Sequence, residues 1–95
     1  MFDHNPNSVV ANGIDYQMTT HFGAVLFHDR SEPVLEFKIG KPACIAISSA
    51  KGKVGDLEFE NEQWTMYESP IRTRTPLGTS SSVTAIRLAA EMLLS

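Results

Sequence analysis

Residues 57–66, Leu57-Glu58-Phe59-Glu60-Asn61-Glu62-Gln63-Trp64-Thr65-Met66, decide how the rest of the chain reads. Apolar and polar side chains alternate on both sides of Asn61-Glu62, the period of two that marks a half-buried strand. If Asn61-Glu62 closes a two-residue turn, Phe59 lies opposite Trp64 and Leu57 opposite Met66, and every large apolar group falls on one face of a hairpin. The turn is the chemically weak point. A tight hairpin turn needs positive φ at both central residues, and Asn-Gly meets that need better than Asn-Glu. The other face carries Glu58 and Glu60 toward water, with Glu62 at the tip and Asp56 and Glu68 nearby.

The pattern continues upstream. Phe22 to His28 and Val34 to Ile39 flank the turn formers Asp29-Arg30-Ser31-Glu32-Pro33, and a five-residue loop there sets Phe27 opposite Leu35 and Val25 opposite Phe37. Ala43 to Ser49 is small and β-branched, with Ile45 and Ile47 on one side and Cys44 and Ala46 on the other, which suits a central strand. Ile14 to Thr20 alternates again, and Gly23 marks a bulge or a change of direction. Residues 1–13 read as a flexible N-terminal arm or edge segment that ends in an Asn12-Gly13 turn, and residues 14–95 as a single α+β domain.

Downstream, Ser69-Pro70 ends one strand, and Ile71 to Leu77 forms a last one with Arg72 and Arg74 on a shared face. Thr79 to Ser82 offers helix caps to Val83–Leu94, a stretch rich in alanine and leucine. On that helix Thr84, Arg87 and Glu91 make one narrow polar stripe, so its apolar arc exceeds the roughly 100° that a single sheet covers. The expected fold class is α+β: a mostly antiparallel sheet of five or six strands packed on one C-terminal α-helix. The surplus apolar arc predicts a homodimer, with Ile86, Ala90, Leu93 and Leu94 at its interface.

Ninety-five residues make one domain with a thin core, and 42% hydrophobic with 20% charged residues is a globular composition. Eleven acidic against eight basic residues give a net charge of −3, which opposes sequence-independent attraction to nucleic acid or anionic membrane. A single cysteine, Cys44, excludes an internal disulfide and fits a reducing compartment. No apolar run reaches the roughly 20 residues of a membrane span, and the start has no signal-peptide pattern, so the expectation is a cytoplasmic protein with no membrane association.

Chemistry-bearing residues are sparse. His4, His21 and His28 match no metal-ligand spacing, and Cys44 sits in an apolar run, as a core thiol does. The serines at 48–49 and 80–82 have no glycine-flanked elbow. The acidic hairpin reads as a solvated face partly neutralised by Arg72 and Arg74, or as a surface for a basic partner through Glu58, Glu60 and Glu62. With no catalytic constellation, no metal site and no cofactor signature, the expected function is non-enzymatic: a small binding, adaptor or inhibitor protein acting on another protein.

Two alternatives follow from other residues. Trp64, then Leu77-Gly78-Thr79, then a helix with Ala85, Ala89 and Ala90 resembles the second half of plant-type AP2 DNA-binding domains and related integrase arm-binding modules. That resemblance covers about a third of the chain and implies a sheet laid in the major groove and braced by the helix, with Arg72 and Arg74 reading DNA. The strands here carry glutamates where that family's DNA-facing strands carry arginines, so nucleic acid ranks below a protein partner. The third possibility is a small-ligand carrier whose curled sheet encloses a pocket lined by Phe27, Phe37, Phe59 and Trp64.

Overall fold

A computed structural model describes residues 7–41 and 43–95; the first six residues of the expected arm, with His4, and Pro42 lie outside the described residues. Eight strands follow one another in a single sheet: β1 (Ser8–Ala11), β2 (Ile14–His21), β3 (Ala24–Asp29), β4 (Glu32–Lys41), β5 (Cys44–Ser49), β6 (Gly52–Glu60), β7 (Gln63–Glu68) and β8 (Thr73–Pro76). Each pairs antiparallel with the next, so spatial order equals chain order. One helix, α1 (Ser82–Leu94), ends the chain.

The antiparallel sheet with a C-terminal helix stands, but among the described residues the sheet has eight strands, not the expected five or six. Two causes account for the difference. Ser8–Ala11, within the expected arm, is a strand of only four residues, too short to show alternation. At Gly23 the chain turns fully, so the expected Phe22–His28 strand begins two residues later. The connection at Asp29–Pro33 is also tighter than a five-residue loop: Asp29 pairs with Glu32 around Arg30-Ser31, and a bulge at Phe27/His28 restores the expected Phe27–Leu35 and Val25–Phe37 pairs.

The turns explain how so many strands fit. At Asn12-Gly13, Phe22-Gly23, Arg30-Ser31 and Asn61-Glu62 both central residues have positive φ, the geometry whose twist matches that of flanking strands. Phe59 faces Trp64 and Leu57 faces Met66 across the last of these. Gly55 is required by close approach, because a Cβ there would stand 2.5 Å from the Tyr67 carbonyl oxygen.

All inward positions form one core: Val9, Tyr16, Val25, Phe27, Leu35, Phe37, Ile45, Ile47, Leu57, Trp64 and Met66 are buried. Phe27 and Phe37 meet edge to face at 5.6 Å. Against this core α1 lays Ala85, Ile86, Ala89 and Ala90, three of them small enough to let its backbone come near the sheet. The helix packs on both β1 and β7. In a flat sheet those strands would lie about 29 Å apart, whereas a helix is only about 10–12 Å wide, so the sheet curls into a half-barrel with α1 across its open side. Both ends of the helix are tied down. Ser81 caps its N-terminus by accepting from the Thr84 N–H at 3.2 Å, and the Asn12 side chain donates to the Leu94 carbonyl at 3.2 Å.

Candidate functional site

The acidic hairpin lies on the outer face of β6, where Asp56, Glu58 and Glu60 alternate with the inward Leu57. Their charges are not free. Lys53 reaches Asp56 at 3.0 Å, Arg72 reaches Glu58 at 3.0 Å and Asp56 at 3.9 Å, and Arg74 reaches Glu60 at 3.3 Å. The Tyr67 hydroxyl donates to Glu60 at 2.7 Å, and the Arg72 guanidinium lies 4.3 Å over the Tyr67 ring. Tyr67 foremost, aided by Arg74, holds the Glu60 carboxyl below the ordinary glutamate range against the opposing effect of desolvation. Arg72 is raised above its ordinary value, chiefly by its hydrogen bond to Glu58.

Three carboxylates and three cations thus cancel in one ladder across β6, β7 and β8. Of the expected partner-binding set only Glu62 stands apart, at the hairpin tip with φ 63°. Arg72 and Arg74, the expected nucleic-acid contacts, spend their charge on the same ladder. Thr65 is fully buried between Glu58 and Pro76 in register.

The expected oligomer interface divides. Ile86 and Ala90 are buried in the chain's own core, and Leu93 and Leu94 pack partly against it. The curled sheet wraps more of α1 than a flat one would, and this takes up the surplus apolar arc. Val83 and Met92 remain exposed on the helix flanks. Of the residues expected to line a ligand pocket, Phe27 and Phe37 are fully buried against each other and Trp64 is buried in the same core as the inner face of α1.

The opposite situation holds at one end of the half-barrel, where the β2–β3 turn, Ala43 ahead of β5, the β6–β7 turn and the start of α1 all lie. Backbone hydrogen bonds that extend the β3–β4, β5–β6 and β7–β8 ladders lace the strand ends along this rim: Ile39 N–H to the Gly23 carbonyl at 2.8 Å, Phe59 N–H to Ala43 at 2.9 Å, and Trp64 N–H to Thr79 at 2.8 Å. Along it stand exposed apolar side chains. Phe22 is 96% exposed, Val83 58%, Ile39 50% and Phe59 39%. Phe59 leans on the buried Trp64 with ring centroids 5.3 Å apart, and His21 packs edge-on to Phe22 at 4.8 Å.

Phe22 combines two costs. Its φ of 45° is one that a bulky side chain rarely adopts, and its ring is left in water. Asparagine or glycine would close the same turn without either cost. Sequence reasoning missed this site by treating Phe22 as a strand residue. The signal was the Phe-Gly pair itself, which occupies the place that Asn-Gly holds at Asn12-Gly13.

The remaining candidates gather no site. His28 Nε2 pairs with the Thr19 hydroxyl at 3.0 Å, and Cys44 is half-buried opposite Glu58. Among the described residues no group of three or more His, Cys, Asp or Glu side chains is placed to hold a metal, and no helix is long and apolar enough to cross a membrane. No protein family, no curated protein and no solved structure matches the chain.

Proposed function

We propose that this protein is a non-enzymatic binding module, an adaptor or an inhibitor, that docks another protein through the laced rim of its half-barrel. The observation that carries this reading is Phe22: a large aromatic ring almost wholly in water, on a backbone conformation that favours smaller residues. Aromatic side chains presented on a rigid frame carry much of the energy of protein interfaces, because they bury a large area at little conformational cost. The three lacing hydrogen bonds supply such a frame. A reducing, cytoplasmic setting suits the unpaired Cys44.

Site-specific photo-crosslinking in living cells tests the proposal. A photoreactive phenylalanine analogue at position 22 should trap a discrete second polypeptide, while the same group at the exposed Thr73, at the start of β8 and at the opposite end of the sheet, should not. Equal trapping from both positions, or none from position 22, would remove the rim from consideration.

A further inference from the structure

We infer that the segment docking on the rim is an acidic polypeptide stretch that carries an apolar anchor residue; this rests on the binding-module reading above. The basis is a difference in how the cations are used. Lys53, Arg72 and Arg74 each have a carboxylate at 3.0 to 3.3 Å. Lys38 and Lys41 are exposed, and neither has a carboxylate partner among the described residues; Arg30 and Lys51 share that state but stand in the β3–β4 and β5–β6 turns at the other end of the sheet, away from Phe22. Both belong to β4, on either side of Ile39, whose N–H is bonded to the turn that presents Phe22. An apolar tip is therefore flanked by two uncommitted ammonium groups, with His21 against the Phe22 ring. A complementary surface supplies a socket for Phe22 and Ile39 and carboxylates for Lys38 and Lys41.

A polypeptide fits this pattern better than an anionic membrane does. The third tip of the same rim carries Glu62, and the whole chain has a net charge of −3. A flat anionic surface would meet that carboxylate together with the lysines, whereas a folded or extended peptide places its charges selectively.

The test is to pan a displayed random-peptide library against the immobilised full chain and to measure the enriched peptides by fluorescence polarisation at low and high salt. Wild type is compared with Phe22→Asn and with Lys38→Gln/Lys41→Gln, each first shown by circular dichroism to be folded. The expected peptides join an aromatic or aliphatic residue to Asp or Glu. Binding should weaken about tenfold or more in Phe22→Asn, as loss of an interface anchor does. The lysine variant should weaken it about fivefold at low salt, with the difference shrinking at high salt.

Peptides that need Phe22 but ignore the lysines and salt would overturn the acidic assignment and leave the rim standing. Peptides indifferent to Phe22, or no enrichment at all, would overturn both. Binding of the wild type to phosphatidylcholine–phosphatidylserine vesicles, lost in Phe22→Asn, would reassign the rim to lipid. Self-association lost in the same variant would reassign it to a second copy; either result overturns the inference.

Discussion

Two turns with the same backbone make a natural comparison. Asn61-Glu62 and Phe22-Gly23 both join neighbouring strands through two residues of positive φ, 53° and 63° in one, 45° and 79° in the other. At the first, asparagine takes the left-handed position it tolerates well, Glu62 beside it carries the one charge of the tip, and on β6 Glu58 and Glu60 are paired with Arg72 and Arg74. At the second, phenylalanine takes that position and points into water beside unpaired lysines. Similar geometry with opposite chemistry separates a region arranged to hold itself together from one left with interactions to make.

The largest expected effect breaks the self-contained side. Gly55→Ala places a methyl group 2.5 Å from the Tyr67 carbonyl, so β6 and β7 must part where the ladder begins. Urea unfolding should show a loss of about 3 kcal/mol. Its counterpart near the rim, Gly40→Ala, meets nothing within 4 Å and has no left-handed φ, so stability should change by less than about 1 kcal/mol. Equal losses at the two glycines would erase the distinction.

Next in size is Phe22→Asn, which suits the residue to its turn. Stability should hold or rise by up to about 1 kcal/mol while the rim loses its anchor. A clear fall in the melting temperature would mean that Phe22 supports the fold, and the contrast between the turns would collapse.

A smaller effect sharpens the picture of the ladder. Glu58→Gln together with Glu60→Gln releases Arg72 and Arg74 from their partners and changes the formal charge from −3 to −1. The variant should be retained on heparin to higher salt than the wild type. Unchanged elution would show that the arginines were never masked.

The smallest effect concerns protons. Glu60 has a lowered pKa in the folded chain, so its contribution to stability is complete above the ordinary glutamate range and disappears as pH falls through the lowered value. Tyr67→Phe removes the leading cause, and carboxyl titration followed by NMR should move Glu60 back toward an ordinary glutamate.

Much of this architecture was legible in the residues. Alternation with an assumed turn length placed Phe59 opposite Trp64, Leu57 opposite Met66 and Phe27 opposite Leu35, because a one-residue slip would strand large apolar groups in water, and at the last pair a bulge makes up for a turn shorter than expected. The helix was legible from its alanines, leucines and serine caps. What escaped notice was short or closed by unusual residues. Four residues of β1 carry too little pattern, and Phe22-Gly23 and Arg30-Ser31 lack the Asn-Gly signature of a tight turn. The acidic face was legible as one that Arg72 and Arg74 partly neutralise, but which carboxylate each takes, 14 residues away, is set only by the folded β7–β8 pairing. The rim was invisible because it joins residues from turns far apart in sequence.

The helix that follows every strand closes against the first of them. During synthesis each hairpin can form soon after it emerges, since each strand pairs with its immediate successor. The inner wall of the half-barrel nevertheless stays uncovered until residues 82–94 have left the ribosome. A nascent chain paused before that point displays Phe27, Phe37, Leu57 and Met66 to the surrounding medium, as a substrate for holding chaperones or a seed for aggregation.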